Sequence, residues 1–153
     1  MRCEDPDIEF FVEGTPAPKG SKTAGRGGFG MREASKFLPA WDKALDAVLA
    51  TTPDTLGARQ VRDGDEIVVR HVFYLARPKK HYRANGELRA DAPTFHSVKP
   101  DYDKLERAVN DAITRAGLWR DDARVVDGGA VKLYGGGPGE TPTGVRTRIW
   151  SIS

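Results

Sequence analysis

Residues 101–117, DYDKLERAVNDAITRAG, predict the best-defined element of the chain. Their apolar side chains recur every three or four positions, which is the spacing of a helix with one buried face. The members of this stripe are Leu105, Ala108, Val109, Ala112, Ile113 and Ala116. Asp101 or Asp103 can cap the first turn, and Gly117 stands where a C-terminal cap is expected. We therefore expect an amphipathic helix that ends at Gly117.

Apolar runs on both sides of this helix predict the rest of the fold. Strands are expected at residues 8–12, 66–75, 125–134 and 145–152, and a second amphipathic helix is expected at residues 35–50. The 66–75 run is apolar on both faces, which is typical of a central strand. The order is β, α, β, long loop, α, β, β. It predicts an α+β (mixed α/β) domain in which two main helices pack on one face of a mixed β-sheet.

Length and composition limit the class of protein. A chain of 153 residues favours a single domain that spans residues 1–153. No apolar run approaches the roughly 20 residues that a membrane span needs, so no membrane partner is expected. The formal net charge of +2 is too small to indicate nucleic-acid binding by itself. The clustering of the charges therefore has to decide that question.

The N-terminus and the cysteine content bear on the cellular compartment. Residues 1–7, MRCEDPD, are acidic where a secretory signal would carry positive charge followed by an apolar stretch. Cys3 is the only cysteine, which excludes an internal disulfide and a zinc site built from cysteines. We therefore expect no export signal and a reducing, cytoplasmic setting.

Two segments, residues 14–30 and 78–99, are expected to be flexible basic loops, and the composition of the first is expected to form no regular element. The first contains GRGGFG and GSKT, which resemble nucleotide-binding motifs. GRGGFG does not directly follow a strand, as a dinucleotide-binding loop must, and in GSKT a serine separates the glycine from the lysine of a phosphate-binding loop. No nucleotide cofactor is therefore expected. The second interleaves basic and aromatic side chains, which favours contact with phosphates and unpaired bases; a solvated loop is the alternative. The residues expected to contact nucleic acid are Lys19, Lys22, Lys79, Lys80, Arg83, Phe95, Lys99 and Lys104.

Three aspartates could hold a divalent metal ion. Asp101 and Asp103 stand directly after Pro100, where the chain leaves an extended dipeptide and enters the helix. Asp122 precedes a predicted strand, and the short connection after the helix can return it toward the helix start. Carboxylates, waters and phosphate oxygens are the ligands that magnesium prefers. Aspartates that only cap a helix or form a turn are the alternative interpretation.

Polar side chains share the helix face opposite the apolar stripe. Asp103, Arg107, Asn110 and Asp111 lie there, because steps of four, seven and eight residues return to nearly the same angle. Arg107 is therefore one turn beyond the first acids. Asp111 is interpreted as a surface or supporting residue. Asp121 is the substitute metal ligand if Asp122 points away from the site.

Two stretches, KPDYDKLERAVNDA at residues 99–112 and WRDDARVV at residues 119–126, form a composite pattern. This pattern resembles the signature of the RusA family of Holliday junction resolvases, which are crossover junction endodeoxyribonucleases. The family signature reads K-P-D-x-D-N-L-x-K-A-x-x-D-A-L, then x-D-D and x-x-V. GTPAPKG at residues 14–20 and VKLY at residues 131–134 also resemble family features. The similarity therefore extends over most of the chain.

The resemblance implies a metal-dependent endonuclease. It places the catalytic residues at Asp101, Asp103, Asp122 and Arg107, of which the three aspartates bind the metal. Magnesium is the expected ion, and manganese is expected to substitute for it. Two positions depart from the family pattern, because Lys104 replaces an asparagine and Arg107 replaces a lysine. Arginine stays protonated, so Arg107 could stabilise charge but could not serve as a general base.

The resemblance also implies a homodimer that resolves four-way DNA junctions by paired, symmetric nicks during DNA recombination and repair, in a bacterial or phage-infected cell. A two-fold dimer would suit a two-fold substrate. Two alternatives stay open at this point: a less selective nuclease of flaps and other branched DNA, and a non-catalytic nucleic-acid-binding module. His71, inside the 66–75 run, is interpreted as a hydrogen-bonded core residue and not as a ligand.

Overall fold

A four-stranded mixed β-sheet is the centre of the fold. The computed structural model describes residues 5–20, 22–24, 31–33, 35–55 and 66–152. The elements in chain order are β1 (Ile8–Glu13), β2 (Lys22–Ala24), β3 (Met31–Glu33), α1 (Leu38–Thr55), β4 (Glu66–Ala76), α2 (Tyr102–Ala116), β5 (Val125–Gly135) and β6 (Gly144–Ile152). Short 3₁₀ helices lie at Lys79–His81 and Asp122–Arg124. The strand order in the main sheet is β1-β6-β4-β5.

β4 is a central strand of this sheet. It pairs antiparallel with β6 and parallel with β5. β1 pairs antiparallel with the other side of β6. Parallel strands cannot be joined by a tight turn and need a crossover connection, which here contains α2. The pairing of β4 with β5 therefore brings α2 back over the sheet.

The helices bury one face of the sheet. Residues of β4 alternate between buried and more exposed positions, and Ile67, Val69 and Phe73 are fully buried. α1 contacts α2 and β1, and α2 contacts β5. The apolar stripe predicted for α2 is buried up to Ile113, while Ala116 is exposed at the helix end. On the polar face of α2, Asp103 and Arg107 are consequently exposed, whereas Asn110 and Asp111 are half-buried.

The predicted α+β fold, with a mixed sheet and two main helices, is confirmed. α1 continues to Thr55, past the predicted end. The expectation that residues 14–30 contain no regular element is wrong, because β2, within that range, pairs antiparallel with β3. Strands of three residues are too short for a period of two to stand out. The GRGGFG motif at residues 25–30 lies outside the described residues.

Across the described ranges, no helix combines the length and the apolar character that crossing a membrane requires.

The basic segment at residues 78–99 packs against the outer edge of β5. The amide of Tyr134 donates a hydrogen bond of 3.0 Å to the carbonyl of Thr94, and the amide of His96 donates one of 3.0 Å to the carbonyl of Lys132. The ring of His96 also contacts the ring of Tyr134, with centroids 4.8 Å apart. These contacts attach the end of the segment to the sheet, just before the chain enters α2.

Candidate active site

Asp101 is the N-cap residue of α2, but its side chain makes no capping hydrogen bond. Its carboxylate lies 3.8 Å from the ammonium group of Lys99 and 3.8 Å from that of Lys104. The main-chain carbonyl of Asp101 accepts a hydrogen bond of 3.2 Å from the amide of Leu105. The interpretation that Asp101 serves only as a cap therefore lacks its hydrogen bond, and the carboxylate instead faces cations.

Asp103 lies in the exposed first turn of α2, near Glu106. The pKa of Glu106 is raised above its ordinary value because burial desolvates the carboxyl and because the charge of Asp103 is close, while Arg70 opposes this rise. A Cβ on Gly128 of β5 would lie 3.4 Å from Oε1 of Glu106. Asp103 thus has an acidic neighbour on the side of α2 that faces β5, and sequence reasoning did not predict this neighbour.

Asp122 begins the 3₁₀ helix Asp122–Arg124. The carboxylate of Asp121 caps this helix by accepting a hydrogen bond of 2.9 Å from the amide of Ala123, which is the main reason why the pKa of Asp121 is lowered. The pKa of Asp122 is raised, chiefly because its carboxyl is partly desolvated, and further by a hydrogen bond with Asp121 and the charges of Asp121 and Asp111. Asp121 is engaged as a cap, which favours Asp122 as the carboxyl available at the site.

A single chain does not bring the three predicted metal ligands together. Asp101 lines a pocket of about 450 Å³, which we call the Asp101 pocket. Asp122 lines a separate hollow of about 340 Å³, together with Lys19 and Asp111. Asp111 follows Asp101 by ten positions on the helix, which is roughly 15 Å along its axis. Asp122 therefore lies beside the third turn of α2. The sequence predicts it beside the first turn.

Metal coordination needs several donors at one point. In the part of the chain that the structure describes, no group of three or more histidine, cysteine, aspartate or glutamate side chains lies close enough to hold a metal ion. The assignment of Asp101, Asp103 and Asp122 as metal ligands stays a prediction.

Lys19 and Gly20 lie along the polar face of α2. The ammonium group of Lys19 forms an ion pair of 2.8 Å with the carboxylate of Asp111. Gly20 has a φ of +98°, and a Cβ there would lie 2.5 Å from Nη1 of Arg107. Glycine suits the positive φ at this position, and a side chain there would displace the flexible guanidinium group of Arg107. Gly20 thus lies close to the guanidinium group of Arg107, which stands on α2 between the first-turn acids and Asp111.

Lys132 on β5 was assigned no role from the sequence, although it lies in the VKLY motif. Its ammonium group donates hydrogen bonds of 2.7 Å to the carbonyl of Val98 and 2.7 Å to the carbonyl of Pro100. Burial lowers the pKa of Lys132, and the nearby charge of Asp101 opposes this shift. Lys132 therefore fixes the chain just before Asp101 relative to the sheet. Its charge inside a strand and its place in the VKLY stretch were the sequence signals for it.

The other residues predicted to contact nucleic acid lie mostly on the outside of the 78–99 segment. The exposed members are Lys79, Lys80, Arg83, Phe95 and Lys99. The Phe95 residue is 65% exposed, which is unusual for a large apolar side chain and leaves its ring free to contact a partner. Lys22 lies in β2, and its side chain is outside the described residues.

The interpretation of His71 as a hydrogen-bonded core residue is confirmed. The residue is 1% exposed. Its Nδ1 lies 2.8 Å from Oγ1 of Thr147, and its Nε2 lies 2.8 Å from Oδ1 of Asn110. Burial lowers the pKa of His71 to about 4, against the smaller opposing effect of Asn110. This histidine is therefore neutral at neutral pH and joins α2 to the sheet.

Comparison with known proteins identifies the family. The family described as "Endodeoxyribonuclease RusA" matches residues 13–141. Proteins named "Crossover junction endodeoxyribonuclease RusA" from Escherichia coli strain K12 and Shigella sonnei strain Ss046 are 54% identical to this chain over 33 residues. That stretch is 22% of this chain and spans only 28% of the length of each relative. Because the family match covers most of its residues, the chain belongs to the RusA endodeoxyribonuclease family.

Proposed function

We propose that this chain is a divalent-metal-dependent endonuclease that resolves four-way DNA junctions by paired, symmetric nicks during DNA recombination and repair. The observation that carries the proposal is the family match over residues 13–141. The name of the relatives, crossover junction endodeoxyribonuclease, supports the choice of substrate. The exposed lysines and arginines of residues 78–99 also support it, because contacts with phosphates dominate the affinity of proteins for DNA.

The proposed metal ligands are Asp101, Asp103 and Asp122, and the proposed ion is Mg²⁺, with Mn²⁺ as a substitute. Carboxylate oxygens are suitable donors for such hard cations. The donor types therefore fit the ion. In the described part of one chain, however, the carboxylates do not form a cluster that could hold it. The proposed homodimer bears on this point, because a second copy can supply carboxylates that one chain keeps apart.

The cationic residues of the site have separate proposed roles. Arg107, held against Gly20, offers a permanent positive charge that can bind phosphoryl oxygens and cannot accept a proton. Lys99 and Lys104 place their ammonium groups next to Asp101, where they can bind the DNA backbone. Lys132 positions the chain that carries Asp101 and makes no proposed contact with DNA.

Separate replacement of the three aspartates by asparagine tests the assignment. Nicking of a synthetic four-way junction with Mg²⁺ is expected to fall by about 100-fold or more in each variant, while junction binding is retained. Asp91→Asn is the matched control, because the side chain of Asp91 is 84% exposed and lies outside the proposed site. Nicking that survives in all three site variants would refute the assignment.

The same assay distinguishes the alternative functions when it includes flap and plain duplex substrates. Equal cleavage of junctions and flaps would identify a less selective nuclease of branched DNA. Metal-independent junction binding without cleavage would identify a non-catalytic binding module, which is the alternative that the separation of Asp101 from Asp122 favours.

A further inference from the structure

The Asp101 pocket has a shape and a lining that the proposed chemistry does not require. Its volume of about 450 Å³ is within the usual range of small-ligand sites, which are mostly apolar with a few polar groups. Its apolar wall is formed by Pro16, Ala17, Pro18, Leu75, Ala76 and Pro100. Rigid proline rings and short aliphatic side chains make a surface on which a flat ring can lie.

His96 is a buried polar residue in the lining of this pocket. It is 7% exposed, and its Nδ1 is buried without a hydrogen-bond partner. Buried polar atoms of native proteins are nearly always hydrogen-bonded, so an unpaired one needs an explanation such as a missing ligand. The pKa of His96 is lowered, chiefly by burial and then by the charge of Lys132, while interactions with the backbone of His96 and Val98 oppose this shift. The neutral ring has one donor and one acceptor nitrogen, which suits the edge of a nucleobase.

The mouth of the pocket carries the other groups that a nucleotide requires. Phe37 lines it and is 54% exposed, although a phenylalanine is usually buried. Aromatic side chains at such positions bind unpaired bases by stacking. Lys99 and Lys104 also line the pocket, and they bring two ammonium groups to the side where Asp101 lies. These ammonium groups can bind the phosphates on either side of a base.

We propose that the Asp101 pocket receives an unpaired nucleobase of the bound DNA, stacked on Phe37 and hydrogen-bonded to His96. This inference rests on the proposed function, because the base comes from the DNA substrate. Bases at a branch point are easier to extrude than bases inside a continuous duplex. An occupied pocket fixes one nucleotide beside Asp101, so it determines which phosphate of the strand reaches the acids. The pocket is therefore a specificity-determining site.

Junctions that lack single bases test this inference. Abasic sites are placed one at a time on each side of the branch point, and the affinity is measured with Ca²⁺ in place of Mg²⁺. At one position the abasic site is expected to weaken binding by the wild type about tenfold. Phe37→Ala is expected to weaken binding to the intact junction by a similar factor. The abasic site at that position should then have no further effect, because both changes remove the same interaction.

Two further variants complete the test. Phe95→Ala is the matched control, because it removes an exposed aromatic ring outside the pocket, and its effect should multiply with that of the abasic site. Ala76→Trp fills the pocket from the exposed end of β4 and should reproduce the result of Phe37→Ala. The inference is wrong if no abasic position weakens binding by the wild type. It is also wrong if, at every position, the effect of the abasic site multiplies with that of Phe37→Ala and with that of Ala76→Trp. In both cases the proposed function stands. If the wild type does not bind junctions, both are wrong.

Discussion

Replacement of Lys132 by methionine tests how the start of α2 is positioned. The ammonium group makes two hydrogen bonds of 2.7 Å, to the carbonyls of Val98 and Pro100. A hydrogen bond to a charged group contributes about 1.5–3 kcal/mol, and the lower end applies because Lys132 is half-buried. The two bonds together therefore contribute about 3 kcal/mol to holding these carbonyls. Methionine keeps the aliphatic chain but removes the charge, so Asp101 is expected to shift with the carbonyls before it.

A displacement of about 1 Å near the reacting atoms can cost about 100-fold in rate. We therefore expect Lys132→Met to lower kcat for junction nicking by about 100-fold, with much less effect on KM. Steady-state and single-turnover kinetics on a synthetic junction measure both quantities. Lys80→Met is the control, because Lys80 is an exposed lysine predicted to contact DNA, and it should change KM and not kcat. A loss confined to KM in Lys132→Met, as in the control, would refute positioning and indicate a phosphate contact.

Three further predictions concern the stability of the fold. Gly20→Ala should lower the free energy of unfolding by about 1–2 kcal/mol, because it strains a backbone at positive φ. It should also reduce nicking, because the added methyl group displaces Arg107. An unchanged urea-unfolding curve with full activity would contradict this. The pKa of His71 is about 4 in the folded state and 6.5 in the unfolded state. Between pH 4 and pH 6.5 the unfolded state therefore binds more protons than the folded state. Stability should therefore fall by about 3 kcal/mol as the pH drops from 6.5 to 4, and a His71→Gln variant with the same pH profile would contradict the assignment. Arg77→Met should cost about 3 kcal/mol of stability, because it leaves the partly buried Glu140 without its 2.9 Å partner, and a change below about 0.5 kcal/mol in thermal unfolding would disprove that.

The main elements of the fold were predictable because they are long and strongly patterned. The stripe of α2 and the alternation of the strands result from burial on one side, which a local sequence pattern reports directly. β2 and β3 were missed because short paired strands carry almost no pattern. The end of α1 was placed too early, since residues 51–54, TTPD, predict a turn. In the structure the hydroxyl of Thr52 donates a 2.8 Å hydrogen bond to the carbonyl of Val48, and the helix continues.

Site residues whose positions depend on neighbouring residues in the sequence were predicted better than those whose positions depend on contacts between distant segments. Asp101 and Asp103 lie at the start of α2, as their spacing after Pro100 implies. The place of Asp122 depends instead on how the chain returns after the helix. Trp119 is buried, and its Nε1 donates a 2.7 Å hydrogen bond to Oγ1 of Thr114. This contact holds the returning chain against the last turns of α2, which the sequence alone did not reveal.

The position of a bound metal ion is the quantity on which the proposed chemistry depends most. Crystals of the protein grown with Mn²⁺ and junction DNA would locate the ion by its anomalous scattering. We expect manganese bound by Asp101, Asp103 and Asp122, contributed by two copies of the chain. Manganese that contacts none of these carboxylates, in a preparation that still nicks junctions, would contradict the proposed metal site.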